Sequence, residues 1–208
     1  MIKHLIFDFD GTISDSYPHF MDIFHRLAQK HGWEIPVDEE GLLQALLVSV
    51  KAAHRQFGWD RYISYPDFWN AFEELQVEKA LEFKAFPAAV ELLKHATEQG
   101  IQCYIYTHSG KVVAEKMLKN MQVDQYITYT IDKSMDFPPK PAPDALQFLI
   151  EKFNLPAKEC MMIGDRPIDA QAGMNAGMKG CLWDQYGIFA DATADLYVRH
   201  LEEIKNHL

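Results

Sequence analysis

Four short stretches of this 208-residue chain carry side chains that could do chemistry together. In Asp8-Phe9-Asp10-Gly11-Thr12 two carboxylates stand two residues apart. In extended backbone they point the same way, and Gly11 permits the sharp turn that follows. Acids this close can divide labour, one as nucleophile or metal ligand and the other as general acid/base. By itself the motif reads equally well as a solvated acidic turn. Thr107-His108-Ser109-Gly110 offers a hydroxyl and then backbone N–H groups at a turn, which suits an anionic oxygen. A plain helix N-cap by Ser109 or Thr107 fits the same residues. Lys140 stands among Pro138, Pro139, Pro141 and Pro143, which restrict the backbone and so the directions its ammonium can take. Such a lysine could neutralise a phosphoryl oxygen or offset repulsion among carboxylates, or it is incidental to a rigid linker. In Gly164-Asp165-Arg166-Pro167-Ile168-Asp169 two further acids lie four positions apart, with Pro167 starting a helix. Carboxylates without His or Cys companions suit magnesium, a hard cation that keeps several waters. Both could also be acids complementing a helix dipole.

These stretches matter only if the fold brings them together. Five short apolar runs read as buried strands: Lys3–Phe7, Ile101–Tyr106, Gln125–Thr130, Cys160–Ile163 and Gly180–Trp183. From the second onward they alternate with helical patterns, such as Leu146, Leu149, Ile150 and Phe153, or Val113, Met117 and Met121. That alternation predicts an α/β fold with an open parallel, Rossmann-like sheet in a three-layer α/β/α arrangement. Ligands of such sheets bind beyond the carboxyl ends of the strands. The acid pair, the hydroxyl, the lysine and the second acid pair follow strands one, two, three and four in turn. The four together are what no solvated turn, cap or linker accounts for.

Residues 8–100 separate the first two strands, several times the usual crossover. The interval holds helical faces of its own: Phe20, Ile23, Phe24 and Leu27; Leu42, Leu43, Leu46, Leu47 and Val50; Phe68, Trp69, Phe72 and Leu75. Pro87–Gln99 then reads as an ordinary crossover helix ending at Gly100. The predicted organisation is a catalytic core over residues 1–14 and 84–208, with a helical cap over 15–83.

Composition narrows the partners. A net charge of −10 argues against nucleic acid or an anionic membrane. Positive charge for a phosphorylated ligand must then be local. Cys103, Cys160 and Cys181 are widely spaced, form no CxxC pair and lie in apolar runs, which predicts reduced core thiols. The first residues turn acidic too early for a signal peptide, and no apolar run approaches the ~20 residues of a membrane span. The expected location is the cytoplasm.

Asp8-Phe9-Asp10-Gly11-Thr12, Thr107, Lys140 and Gly164-Asp165 through Asp169 resemble the four signature motifs of the haloacid dehalogenase-like hydrolase superfamily. Lys140-Pro141-Ala142-Pro143-Asp144, the stretch Gly164–Gly177 and the Ala194-Asp195…Leu201 stretch look most like the branch containing phosphoglycolate phosphatase and β-phosphoglucomutase. The resemblance implies a magnesium-dependent phosphatase with Asp8 as nucleophile and metal ligand. Asp10 would protonate the leaving alcohol, activate water for the second step and ligate the metal through its carbonyl. Gly11, Thr107, the backbone N–H of His108 and Lys140 would hold the phosphoryl group, with Asp165 on the metal and Asp169 completing the metal site by supporting a metal-bound water. The acid at Asp10 separates phosphate-ester chemistry from the dehalogenase and phosphonatase branches. His108, Arg166 and Ala88 depart from common residues of the branch.

The expected partner is a small phosphorylated metabolite, and the expected state a monomer or homodimer. The cap would close over the crevice and choose the substrate. Its polar candidates are Tyr17, His19, Lys51, His54, Arg55 and Arg61, each of which also reads as a solvated helix face. Trp33, Trp59 and Trp69 read as cap core. A phosphomutase using the same aspartyl-phosphate is the alternative enzyme. A receiver-like phospho-acceptor, whose uncapped domain is smaller, or a silent binding protein, are alternatives of another class.

Overall fold

The computed structural model describes all residues, Met1–Leu208. The chain opens with strand β1 (His4–Phe7) and then runs through four helices: α1 (Tyr17–His31), α2 (Glu39–Val48), α3 (Val50–Gln56) and α4 (Tyr65–Lys79). Helix α5 (Pro87–Glu98) leads into β2 (Gln102–Tyr106), α6 (Lys111–Asn120) and β3 (Ile127–Ile131). Helix α7 (Asp144–Phe153), β4 (Cys160–Gly164), α8 (Pro167–Asn175), β5 (Lys179–Trp183) and β6 (Leu196–Val198) complete it. Two compact units result, Met1–Asp15 with Lys84–Leu208, and Ser16–Phe83.

The first unit is an α/β sheet of six strands in the order β3-β2-β1-β4-β5-β6, every neighbouring pair parallel. Parallel strands are covered on both faces and so are apolar throughout rather than alternating, and Leu5, Ile6 and Phe7 of β1 are fully buried, as are Cys160, Met161, Met162 and Ile163 of β4. One face of the sheet packs Ile6, Tyr104, Tyr106 and Met162 against Leu146 and Leu149 of α7. The strand order reverses direction at β1, the position where ligands of open α/β sheets gather. Phe7 is level with Ile105 of β2 and with Ile163 of β4, so Asp8 leaves the sheet flanked by Tyr106 and Gly164.

Two details differ from the sequence expectation. The third strand begins at Ile127, because Asp124–Tyr126 closes a 3₁₀ turn. A sixth strand, β6, pairs with the edge of β5; at three residues it is too short to leave a periodic signal.

The second unit is held by rings. Phe24 stacks on Trp59 at 5.2 Å and meets Phe68 edge-on at 5.4 Å, while Phe20 meets Phe72 at 5.2 Å. The Trp59 indole N–H donates to the Glu34 carbonyl at 2.8 Å, which satisfies the one polar group such a ring buries. Trp33 packs 5.1 Å from Trp59, and Trp69 stacks on Phe72 at 5.6 Å. The apolar stripe read from Leu42 to Val50 is broken at Ser49, whose side chain accepts the Ala52 N–H at 2.9 Å and caps a new helix. The buried face of α4 runs Phe68, Phe72, Gln76, Lys79, with Leu75 only partly covered. Lys79 is tolerated there because its ammonium meets Asp22 at 2.6 Å and Glu82 at 3.1 Å.

Candidate active site

The turn after β1 is built on Gly11, whose φ of 85° is open to glycine and disfavoured for other residues. Its N–H donates to the Ser14 carbonyl at 2.8 Å, and Ser14 N–H donates to the Phe9 carbonyl at 2.8 Å. This tight loop turns the chain away directly after Asp10. Asp8 itself is fixed to β4 through its N–H, which donates to the Ile163 carbonyl at 2.8 Å.

Lys140 supplies the charge that makes a buried Asp8 tenable. Its ammonium is fully buried and donates to Asp8 Oδ1 at 2.5 Å and to the Tyr106 carbonyl at 2.9 Å. It also lies 2.8 Å from Asp169 Oδ1 and 4.5 Å from the centre of the Tyr106 ring. Burial works to neutralise the lysine, but Asp169 and Asp8 outweigh it and hold it protonated above the usual lysine range. Burial also pushes the Asp8 carboxyl up, against the pull of Lys140. Asp169 is buried too, yet Lys140, Arg166 and the Arg166 N–H keep it below the ordinary carboxylate range.

Asp169 reaches this position because Gly164 leaves room for it. A methyl group at Gly164 would overlap the Asp169 side chain. Asp169 Oδ2 accepts the Arg166 N–H at 3.1 Å at the start of α8, so the acid caps its helix with one oxygen and faces Lys140 with the other. Asp165 receives the Thr12 hydroxyl on Oδ1 at 3.2 Å. Carboxylate oxygens of Asp8, Asp165 and Asp169, all three residues buried, lie within 4.8 Å of one another. Asp8 Oδ2 is buried with no hydrogen-bond partner. An all-oxygen set of this kind, with a bare carboxylate oxygen and more negative charge than one lysine offsets, fits a hard divalent cation.

The loop after β2 faces the same crevice. Ser109 is buried; its hydroxyl donates to Asp10 Oδ2 at 2.7 Å, and its N–H donates to Thr107 Oγ1 at 3.0 Å. Neither hydroxyl caps α6, whose N-cap is Gly110 without a side-chain bond. The Lys140 N–H donates to His108 Nε2 at 3.3 Å. Hydrogen bonds and ion pairs join Asp8, Lys140, Asp169 and His108 in one group and Asp10, Ser109 and Thr107 in a second, while Asp165 shares the carboxylate cluster of Asp8 and Asp169 and Gly11 lies in the turn between Asp10 and Thr12. Ser109, Thr12 and Tyr106 are the members that sequence reasoning did not pick out.

A model of the haloacid dehalogenase-like hydrolase family matches residues 5–182. The chain belongs to that family. It is 26% identical over 201 residues to the glyceraldehyde 3-phosphate phosphatase of Pyrococcus abyssi, covering 90% of this chain and 83% of the relative. It is 25% identical over 195 residues to a phosphoglycolate phosphatase of Pseudomonas fluorescens, covering 88% and 69% respectively. A crystal structure of a predicted phosphoglycolate phosphatase from Haemophilus somnus superposes with a TM-score of 0.85, at 18% identity and over 99% and 97% of the two chains. At that identity the likeness is one of fold.

The polar residues expected of the cap all belong to the second unit. In the second unit Lys51, Arg55 and Arg61 are exposed, with Lys51 5.5 Å over the Tyr65 ring and Arg61 4.6 Å over Tyr62. Tyr17 and His54 are buried, and His19 stacks on Phe83 at 4.2 Å. The three cysteines are free and buried; burial pushes the Cys103 and Cys181 thiols up to about 12 and Cys160 up to about 11, which makes them inert. No helix is long and apolar enough to cross a membrane.

Proposed function

We propose that this chain is a phosphatase that hydrolyses a small phosphate monoester through an aspartyl-phosphate on Asp8. The observation that carries the reading is the buried Asp8–Lys140–Asp169 cluster, with Asp10 held beside it by Ser109. Phosphoryl transfer needs in-line positioning and charge neutralisation, and a carboxylate nucleophile divides it into two easier steps. In the first step an Asp8 carboxylate oxygen bonds to phosphorus, the bond from phosphorus to the alcohol oxygen breaks, and Asp10 gives that oxygen its proton. In the second, Asp10 takes a proton from water as the water oxygen bonds to phosphorus. The bond to Asp8 then breaks, and inorganic phosphate leaves.

Thr107 Oγ1 already accepts the Ser109 N–H, which leaves its own hydroxyl hydrogen for a phosphoryl oxygen. The His108 N–H and Lys140 complete the cradle. Asp8, Asp165 and Asp169 would hold Mg²⁺ together with the Asp10 carbonyl, and the ion would neutralise phosphoryl charge. The named activities of the two relatives, on glyceraldehyde 3-phosphate and on phosphoglycolate, support a small phosphorylated metabolite as substrate. The reading includes a core of residues 1–14 and 84–208, a substrate-selecting cap of 15–83, and a cytoplasmic monomer or homodimer.

A panel of phosphorylated metabolites assayed with and without Mg²⁺ tests this. Wild type should release phosphate in the presence of the metal, and Asp8→Asn should lose turnover. Full turnover by the variant would remove Asp8 from its role. Asp165→Ala should lose activity and recover part of it at raised Mg²⁺.

A further inference from the structure

The residues from the end of β2 onward alternate in what they serve. Thr107 and Ser109 turn towards each other and Asp10. Tyr106 and His108, two residues apart, both serve the segment that carries Lys140. The Tyr106 hydroxyl donates to the Pro138 carbonyl at 3.4 Å, its carbonyl accepts the Lys140 ammonium, and its ring lies beneath that ammonium. The His108 ring stands edge-on to the Tyr106 ring, 84° between planes and 5.7 Å between centres, and meets the Lys140 main-chain N–H with Nε2 at 3.3 Å.

A backbone N–H can only donate, so Nε2 must present its lone pair. A neutral imidazole with a lone pair on Nε2 carries its proton on Nδ1. We propose that His108, as the Nδ1–H tautomer, is a positioning residue. By accepting the Lys140 N–H it fixes the point from which that lysine's side chain reaches Asp8 and Asp169. The role rests on the phosphatase reading, but the tautomer and the hydrogen bond do not. The ring's surroundings agree, since burial, Lys140 and Arg166 together push His108 down to about 3 and so keep it neutral. Prolines on both sides of Lys140 leave its N–H without a strand or helix partner, and His108 supplies one.

Two amides divide the imidazole's functions: glutamine can place an acceptor near Nε2, whereas asparagine is too short to reach it. On the full chain with Mg²⁺ and para-nitrophenyl phosphate, His108→Asn should lower kcat about three- to tenfold, the loss of one buried hydrogen bond. KM should change less than kcat, because a misplaced Lys140 weakens charge neutralisation in the transition state. His108→Gln should recover most of the loss. Long-range ¹H–¹⁵N spectra of wild type should show the proton on Nδ1, and exchange of the Lys140 amide should quicken in His108→Asn and not in His108→Gln. A proton on Nε2, unchanged amide exchange in His108→Asn, or equal losses in both variants would overturn the assignment. If the asparagine variant does not fold, the wild-type tautomer and the glutamine variant decide. If wild type hydrolyses no phosphate ester, the phosphatase reading fails, while the spectra and the exchange rates still judge the hydrogen bond.

Discussion

The two units of this chain differ in how they bury polar groups. At the end of the parallel sheet, Asp8, Lys140, Asp165 and Asp169 are buried beside one another, and the cation lies against two of the acids. In the helical unit the interior is ring against ring, the buried Lys79 is paired only with the half-exposed Asp22 and the exposed Glu82, and the buried Gln76 amide has a partner for neither its oxygen nor its nitrogen. Buried charge is costly unless geometry compensates it. The sheet supplies that geometry because neighbouring strands deliver their next residues to one place. A helical face gives only a stripe, which apolar side chains fill with little demand for direction. Chemistry is therefore concentrated where strands end, and the helical unit depends on packing.

Lys140→Met attacks the first half of that contrast and should have the largest effect. It leaves two buried carboxylates without their cation, a loss of about 3–5 kcal/mol in urea denaturation without metal, together with loss of phosphatase turnover. A small stability change would mean that the acids are not charged together in the folded state. Phe68→Ala attacks the second half. It should cost the helical unit about 3–5 kcal/mol, read as faster amide exchange in α1 and α4, with exchange in β1 and β4 unaltered. Equal loss of protection in both units would show that they do not differ as argued.

Asp184 extends the contrast beyond the active site. Its carboxylate accepts the N–H groups of Gly187, Ile188 and Phe189 and the Tyr197 hydroxyl. Burial acts to raise it, but the Tyr197 hydroxyl and the three N–H groups hold it below the usual carboxylate range. A lowered folded value means stability present above the unfolded value of ~3.9 and lost as pH falls through the folded one. Asp184→Asn should therefore cost about 1.5–3 kcal/mol at neutral pH, with the gap to wild type closing only in acid. A gap that persisted unchanged to the lowest pH would remove the ionised carboxylate from the explanation. The smallest effect is expected from Gln76→Leu, which should stabilise the helical unit by about 1 kcal/mol by removing an unpartnered amide. Destabilisation would show that the amide has a use.

The same contrast explains what the sequence disclosed. Asp8 and Asp10 were legible because period two puts them on one side of a strand end, and Lys140 because prolines surround it. Asp165 and Asp169 were legible from their spacing about Pro167. Ser109 was not, since the Asp10 it holds follows another strand and its own neighbours suggest a helix cap. Thr12 and Tyr106 were hidden for the same reason: their partners, Asp165 after β4 and Lys140 after β3, are brought near by the pairing of β1 with β4 and of β2 with β3, which no local pattern encodes. In the helical unit the apolar rhythm found the faces but favoured Leu75 where Gln76 and Lys79 are buried, because periodicity counts apolar residues and cannot see an ion pair. Ser49 looked like a member of one long stripe, and its capping bond makes two helices of it.

If Asp8 is the nucleophile, it becomes phosphorylated during turnover. Turnover with Mg²⁺ and a phosphate ester, quenched in acid and followed by peptide mass spectrometry, measures this directly. One phosphoryl group is expected on the peptide containing Asp8, absent from Asp8→Asn and lost on mild alkaline treatment, as an acyl phosphate would be. Steady release of phosphate by wild type with no adduct on that peptide, together with an Asp8→Asn variant as active as wild type, would overturn that role for Asp8.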